Sequence, residues 1–269
     1  MSRRWMACGV AAAAIGLAAW GPRVINAEGT GGAVVPAGAA VPILVELFTS
    51  EGCSSCPPAD TLLTRLAAEK TIGGAAIVAL AYHVDYWDRL GWKDRFSSAA
   101  FTERQNRYAS AWKTDRVYTP QAVVDGRVEF VGTDVNRAIE ALTASAARPH
   151  ARVAVALATG DEPASKRAVR VDVEPPAGAA FTADVLLAVA QDGLSTEVTA
   201  GENASKHLQH TGVVRSLTRI GHVAKGAPVH LEAVKVPIDG AWASGTLRAV
   251  VLVQDATTRE VYGTGLLAF

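Results

Sequence analysis

The chain has 269 residues, of which 49% are hydrophobic, and its 26 basic side chains balance its 26 acidic ones. This length is enough for one large domain or two ordinary ones. The balanced charge argues against nucleic acid as a partner, because a surface that binds nucleic acid needs an excess of Lys and Arg.

The first 27 residues have the parts of a secretory signal peptide. Two arginines form a positive n-region, residues 7–20 form an apolar h-region, and Ala27 ends a matching cleavage site. The alternative is an uncleaved anchor, but the apolar run is shorter than the roughly 20 residues that a spanning helix needs. We therefore expect a periplasmic or secreted mature protein without a stable membrane span, in which residues 28–40 form a flexible lead-in.

Signal cleavage would leave two cysteines, Cys53 and Cys56, with two residues between them. An exported chain with a single vicinal pair is expected to use it for chemistry rather than as a structural staple. The alternative is half of a zinc site, but structural zinc needs four ligands and the chain has no second Cys-x-x-Cys. The pair predicts thiol–disulfide exchange, with Cys53 as the exposed attacking thiolate and Cys56 as the resolving thiol.

Residues 41–148 are predicted to form an α/β domain, in which a mixed sheet is flanked by helices. The elements expected in chain order are a strand over 41–48, a helix from Pro57 or Pro58 to about 68, a strand over 77–84, a helix through the aromatic stripe of 101–112, a hairpin of 121–124 and 127–131, and a helix over 133–147. The strand–helix–strand order favours a parallel pair of strands joined by a right-handed crossover.

Residues 149–269 lose the helical periodicity and are predicted to form a second, all-β domain. Alternating apolar segments separated by turn signals indicate six or seven strands and a β-sandwich. The expected strands are 153–157, 168–173, 183–189, 213–217, 229–236 and 246–254. We expect this second domain to serve partner docking.

The order of elements in residues 41–148 resembles the thioredoxin fold, with a Cys-x-x-Cys after the first strand and Thr119-Pro120 before the hairpin. More closely, four segments are similar to a bacterial family of secreted thioredoxin-like proteins known as a domain of unknown function. These segments are 45–60, 82–87, 118–121 and Gly201-Glu202-Asn203. The resemblance implies a redox pair and supplies neither a substrate nor a direction of reaction.

The resemblance also implies roles for three further residues. Pro120 is expected to be a cis-proline beside the disulfide, so that the backbone of Thr119 could bind an extended peptide; the alternative is an ordinary trans-proline that opens an edge strand. Glu46 resembles the carboxylate that thioredoxins keep beneath the disulfide as a base, although it stands one residue further from the first cysteine. The alternative places Glu46 in water at a strand edge.

His83 and Asp85 follow the second strand, at the sheet edge where functional groups gather in α/β proteins. We expect them to face the disulfide and to contact substrate. Copper-delivering thioredoxin-like proteins bind Cu(I) with two cysteines and a histidine, so Cys53, Cys56 and His83 are an alternative metal site, although those proteins have three residues between the cysteines. A third interpretation is that His83 is hydrogen-bonded in the core or to Asp85.

Two further histidines, His207 and His210, are predicted to lie in a loop, on a solvated surface or as metal ligands. Taken together, the sequence predicts an exported thiol–disulfide oxidoreductase that exchanges its disulfide with protein or small thiols. It would need no cofactor beyond that disulfide, and it would work with a separate redox partner. The alternative is a Cu(I) metallochaperone or a non-catalytic binding protein.

Overall fold

A computed structural model describes residue 1 and residues 40–69, 71–158, 168–242 and 245–269. The predicted signal peptide and most of the predicted lead-in fall on residues 2–39, outside the described residues. Within the described ranges, no helix is both long and apolar enough to cross a bilayer.

The described chain folds into three helices and thirteen strands. The helices are α1 (Pro57–Ala68), α2 (Ala99–Ala111) and α3 (Val135–Ala146). The strands are β1 (Val41–Thr49), β2 (Ala75–His83), β3 (Gln121–Val124), β4 (Val128–Val131), β5 (Arg152–Leu157), β6 (Ala168–Glu174), β7 (Ala183–Asp192), β8 (Leu194–Glu197), β9 (His207–His210), β10 (Val213–Val223), β11 (Val229–Lys235), β12 (Thr246–Gln254) and β13 (Val261–Ala268).

One eight-stranded mixed sheet runs through the fold in the order β13-β12-β7-β10-β2-β1-β3-β4. β1 and β2 are parallel, as the strand–helix–strand pattern predicts, and β3 pairs antiparallel with both β1 and β4. The other half joins at β2, where Val213 of β10 pairs in parallel with Ala81. The Ala81 N–H donates to the carbonyl of Gly212 over 2.7 Å, which secures the junction.

The predicted fold class, an α/β thioredoxin-like domain followed by a separate β-sandwich, is wrong. Strands from the C-terminal half continue the sheet that begins at β1. Pattern analysis identified these strands but not their partners, because apolar alternation shows which face of a strand is buried and not which strand lies beside it. The junction depends on a single residue pair, Val213 with Ala81, which leaves no signal in the sequence.

The sheet is covered on both faces. On one face, residues such as Val45 and Leu47 pack against α1 and α3, and the three-stranded sheet β11-β6-β5 packs over β7 and β12. On the other face, α2 packs against residues that include Phe48 and Tyr82. The alternation along β1 therefore sends successive side chains to two different cores.

Helix α1 begins where its sequence predicts, with Pro57 at its first position. Proline suits this position because its missing N–H would have no partner there. Leu63 and Leu66 anchor the helix to the sheet. Cys53 and Cys56 lie in the short loop between the end of β1 and the start of α1.

The region predicted as a loop around His207 and His210 is a strand. β9 pairs antiparallel with β8 to form a two-stranded ribbon. The ribbon places His210 in a buried position and leaves His207 exposed. A four-residue strand with the sequence HLQH has too little apolar character to be detected by periodicity.

Candidate functional site

The two cysteines form a disulfide between β1 and α1. Cys56 occupies the N-cap of α1, and its N–H donates to the Cys53 carbonyl over 3.2 Å. Both cysteines have zero exposure, whereas Ser54 and Ser55 between them are exposed. The expectation that Cys53 is exposed is therefore wrong, because other parts of the chain pack over the loop, whereas Cys56 is covered as expected.

A loop from the C-terminal half packs on the cysteine loop that carries the disulfide. The buried side-chain amide of Asn203 donates to the carbonyl oxygens of Glu51, over 2.8 Å, and Cys53, over 2.9 Å. The neighbouring Glu202 carboxylate accepts a hydrogen bond from the Ser54 N–H over 3.1 Å. The segment 201–203, which we call the covering loop, thus binds the backbone of the cysteine loop directly.

Two tryptophans close the site from another side. Trp92 Nε1 donates to Glu51 Oε2 over 2.8 Å, and Trp87 packs so closely that a Cβ added to Gly52 would lie 3.1 Å from Trp87 Cβ. Trp87 Nε1 also donates to Thr119 Oγ1 over 2.8 Å. Both rings are half-buried. Trp92 thus binds the cysteine loop by a hydrogen bond, and Trp87 packs against it and links it to Thr119.

Two buried imidazoles lie side by side beneath this loop. The ring centroids of His83 and His210 are 5.0 Å apart, with their planes nearly perpendicular. His83 Nδ1 is 2.6 Å from Asp94 Oδ2, and His210 Nε2 is 3.2 Å from Glu51 Oε1. The other nitrogen of each ring, Nε2 of His83 and Nδ1 of His210, is buried and has no hydrogen-bond partner.

Charge and burial act in opposite directions on this group. Burial lowers the pKa of His83, but the charge and hydrogen bond of Asp94, together with the charges of Asp60 and Glu51, outweigh it, and the result is a raised pKa. Burial likewise raises the pKa of Asp94, and the charge and hydrogen bond of His83 lower it to below its ordinary value. The pair is therefore stabilised as an imidazolium and a carboxylate.

Asp60 is the buried acid of α1. Desolvation raises the pKa of its carboxyl group to about 6, although the charges of His210 and His83 offset part of the effect. Cys56 and Asp60 are four residues apart, and the Asp60 N–H donates to the Cys56 carbonyl over 3.1 Å. In a helix, side chains at this spacing lie on one face, with Cβ atoms about 5–6 Å apart.

A cleft of about 270 Å³ opens beside Asp60, between α1 and β9. Its lining residues are Pro57, Asp60, Thr61, Thr64, Arg65, His207, Leu208 and Gln209. Because Asp60 lies on the wall of this cleft and also in the buried group of acids and imidazoles, it connects that group with solvent.

Glu46 is placed away from the disulfide. It lies on the same face of β1 as Phe48, whereas α1 packs on the opposite face. Its buried carboxylate accepts a hydrogen bond from Arg104 Nε over 2.6 Å and another from the Tyr108 hydroxyl. Glu46 thus ties β1 to α2, and its predicted role as the base at the disulfide stays a prediction without support from this geometry.

The remaining predicted residues are divided between the site and its surroundings. The Thr119–Pro120 peptide bond is cis, as predicted. Thr119 reaches the cysteine loop through Trp87, and the Pro120 carbonyl accepts the Gly132 N–H over 2.9 Å. Asp85 instead accepts a hydrogen bond from Thr102 Oγ1 over 2.6 Å, which joins its side chain to α2.

The alternative Cu(I) site receives no geometric support. Across the described ranges, no three His, Cys, Asp or Glu side chains are placed so that they could hold a metal ion together. His83, which the alternative requires as a ligand, directs Nδ1 to Asp94.

Fold and site together define a mixed-sheet protein with a fully buried Cys-x-x-Cys disulfide and a group of buried acids and imidazoles near it. A covering loop from the C-terminal half of the chain binds the cysteine loop. The chain belongs to the DUF1223 family, described as a protein of unknown function, whose model matches residues 44–254. The family prediction is confirmed at this level. No curated protein matches the chain.

Two solved structures are similar to it. Protein AGR_C_4864 from Agrobacterium tumefaciens is 28% identical, with a TM-score of 0.61 over 85% of this chain and 94% of that one. HBP35 of Porphyromonas gingivalis is 12% identical, with a TM-score of 0.59 over 85% of this chain and 75% of its own. At 12% identity, the second likeness concerns the fold alone.

Most residues of the buried acid–imidazole group carry no signal in the sequence that assigns them to the site. Glu51, Asp60 and Asn203 lie within the segments that carry the family resemblance, so the motifs marked them without giving them a role. Asp94 and His210 lie outside those segments. Only the fold brings them to the site.

Proposed function

We propose that the protein is an exported thiol–disulfide oxidoreductase whose redox centre is the Cys53–Cys56 pair. The observation that carries the proposal is the closed disulfide at the start of α1, in a loop and helix whose Glu51 and Asp60 belong to a group of buried titratable side chains. A purely structural disulfide would not need buried titratable side chains beside it, whereas thiol–disulfide exchange moves protons as well as electrons. The resemblance to thioredoxins supports the proposal locally, at the junction of strand, disulfide and helix.

The reaction is a two-electron exchange. A substrate thiolate attacks the Cys53 sulfur and forms a mixed disulfide, while the Cys53–Cys56 bond breaks and Cys56 leaves as a thiolate that takes up a proton. A second substrate thiol, as its thiolate, then attacks the substrate sulfur of the mixed disulfide. The substrate leaves as a disulfide, and Cys53 leaves as a thiolate. The reverse sequence oxidises the protein, and the relative reduction potentials set the direction.

Access to the sulfur atoms requires motion. Because both cysteines are buried, an incoming thiol must displace the covering loop, whose hydrogen bonds to the cysteine loop come from Asn203 and Glu202. The Thr119–Pro120 segment, joined to the same loop through Trp87, is the proposed contact for a peptide substrate. The proposed partners are a protein thiol or disulfide and a separate protein that restores the pair.

The first test is the reduction potential of the pair in the folded mature protein, measured by equilibration with glutathione buffers and thiol trapping. A reversible couple at about −120 to −270 mV, the range of known catalytic pairs, is expected. A disulfide poised below about −300 mV would identify a structural bond and refute the proposal.

A trapping experiment assigns the two cysteines. In Cys56→Ser, a mixed disulfide formed at Cys53 cannot be resolved from within the protein and should accumulate with a protein substrate. Cys53→Ser is the matched control and should trap little. Equal trapping by both variants would contradict the assignment of Cys53 as the attacking residue.

A further inference from the structure

We propose that Asp60 is the proton donor and acceptor of Cys56, with the imidazoles of His210 and His83 behind it. This inference rests on the proposed function and deepens it, because it assigns the proton that the exchange reaction requires. Asp60 gives a proton to the Cys56 sulfur when the disulfide opens, and it takes a proton from that sulfur when the disulfide closes.

The geometry of α1 places Asp60 on the same helix face as Cys56. The backbone of Cys56 already has helical dihedral angles, and the Asp60 N–H binds its carbonyl, so the two residues stand one helical turn apart. Their side chains share one face of the helix, and both are buried. In the described chain, no other acidic side chain shares this helix face one turn from either cysteine.

The groups around Asp60 have opposing effects on its protonation. The charged and titratable groups that face it are His210 from β9, His83 from β2 and Asp94 from the loop before α2. Arg65, on the same helix, lines the neighbouring cleft with it. The imidazoles favour the carboxylate, whereas burial and Asp94 favour the neutral acid. Because these effects oppose each other, the protonated and the ionised form of Asp60 are both accessible near neutral pH.

Each of the two imidazoles near Asp60 has one ring nitrogen without a hydrogen-bond partner. His83 Nε2 and His210 Nδ1 are both buried without a hydrogen-bond partner, although buried polar atoms are nearly always paired. They belong to neighbouring rings. The hydrogen bonds to Asp94 and Glu51 therefore leave one buried nitrogen on each ring unsatisfied, which marks the surroundings of Asp60 as a polar group rather than ordinary core packing.

The proton balance is complete in both directions. When a thiolate opens the disulfide, the S–S bond breaks and the electron pair stays on the Cys56 sulfur, which then takes the proton of the neutral Asp60 carboxyl group. The Asp60 carboxylate regains a proton from solvent through the cleft on whose wall it lies. In the oxidising direction, the carboxylate removes the Cys56 proton before the thiolate attacks the mixed disulfide.

The test compares the rate of disulfide reduction by dithiothreitol in the wild type and in Asp60→Asn between pH 5 and pH 8. The ratio of the two rates cancels the titration of dithiothreitol itself. We expect the wild type to be faster by about tenfold or more at pH 5, where the donor is protonated. The advantage should be lost as the pH rises through about 6, the pKa of Asp60. A ratio that stays constant with pH would overturn the assignment.

Asp134→Asn is the matched control, because Asp134 is an exposed N-cap of α3 and asparagine caps equally well. Its rate ratio to the wild type should remain near one at every pH. A carboxyl titration of Asp60 by infrared or NMR spectroscopy in the unaltered protein provides a second readout that needs no variant to fold. The Asp60 pKa should differ between the oxidised and reduced states, and equal values would also overturn the proposal.

Failure of the proposed function has a different signature. A disulfide that no thiol opens in the folded protein would refute the oxidoreductase and the role of Asp60 together. A disulfide that exchanges normally, with no effect of Asp60→Asn on its pH profile, would refute the role of Asp60 alone.

Discussion

Replacing Asp60 with asparagine should stabilise the oxidised protein in a manner that depends on pH. Asparagine has nearly the same shape and carries no charge, so it removes the cost of burying a carboxylate while it keeps the packing. Burial raises the pKa of this carboxyl group from 3.8 to about 6 in the folded protein. The folded state therefore binds the Asp60 proton more tightly than the unfolded state does.

The sign and size of the effect follow from proton linkage. Between pH 3.8 and about 6 the folded protein holds more protons than the unfolded one, so the wild type loses stability as the pH rises through this interval. One pKa unit corresponds to about 1.4 kcal/mol, and the full loss is therefore about 3 kcal/mol. Above pH 7 the asparagine variant should be more stable by up to that amount, and near pH 4 the two proteins should differ little.

The assay is urea unfolding of the oxidised wild type, Asp60→Asn and Asp134→Asn at pH 4, 5, 6, 7 and 8. The informative quantity is the difference in unfolding free energy between each variant and the wild type. It should grow with pH for Asp60→Asn and stay flat for Asp134→Asn. A flat difference for Asp60→Asn would refute the reasoning, because it would mean that the carboxyl group has the same pKa in the folded and unfolded states.

Three further predictions test the buried ion pair between β1 and α2, the covering loop and the turn between β3 and β4. Arg104→Met leaves a buried carboxylate unpaired and should cost about 3–5 kcal/mol in urea unfolding, whereas Arg107→Met, in an exposed pair one turn away, should cost less than about 1 kcal/mol. Asn203→Ala removes two hydrogen bonds to the cysteine loop and should speed reduction of the disulfide by dithiothreitol by up to about thirtyfold, since each bond is worth about 1 kcal/mol and about 1.4 kcal/mol is tenfold in rate; an unchanged rate would contradict the covering role. Gly126→Ala adds a methyl group that overlaps a backbone carbonyl, so it should cost at least about 2 kcal/mol more than Gly178→Ala, which has the same kind of positive φ but open space.

The sequence predicted the local elements around the disulfide well because each has a strong local cause. Prolines begin α1, an apolar run marks β1, and Asp125-Gly126 forms the turn of the hairpin between β3 and β4. These signals act over a few residues and do not depend on distant parts of the chain. The cis peptide bond before Pro120 came from the family resemblance rather than from any local pattern.

The site itself could be predicted only in part, because it is assembled across long distances in the sequence. Asn203 contacts the Cys53 carbonyl from 150 residues away, and His210 contacts Glu51 from 159 residues away. Such contacts depend on strand order, which periodicity does not encode. Glu46 shows a second effect: it is near the cysteines in sequence, but the side-chain alternation of β1 turns it to the face of the sheet opposite α1.

The continuous sheet changes the meaning of the C-terminal half of the chain. Had that half been a separate docking domain, its removal would have left the disulfide and its surroundings intact. In this fold, the pairing of β10 with β2 fixes the segment that carries β9 and the covering loop next to the cysteines. That segment supplies both His210, one of the two imidazoles beside Asp60, and Asn203, which closes the site. The surroundings of the disulfide are therefore built by both halves of the chain, and changes along the β2–β10 junction should alter the proposed redox site even where they touch neither cysteine.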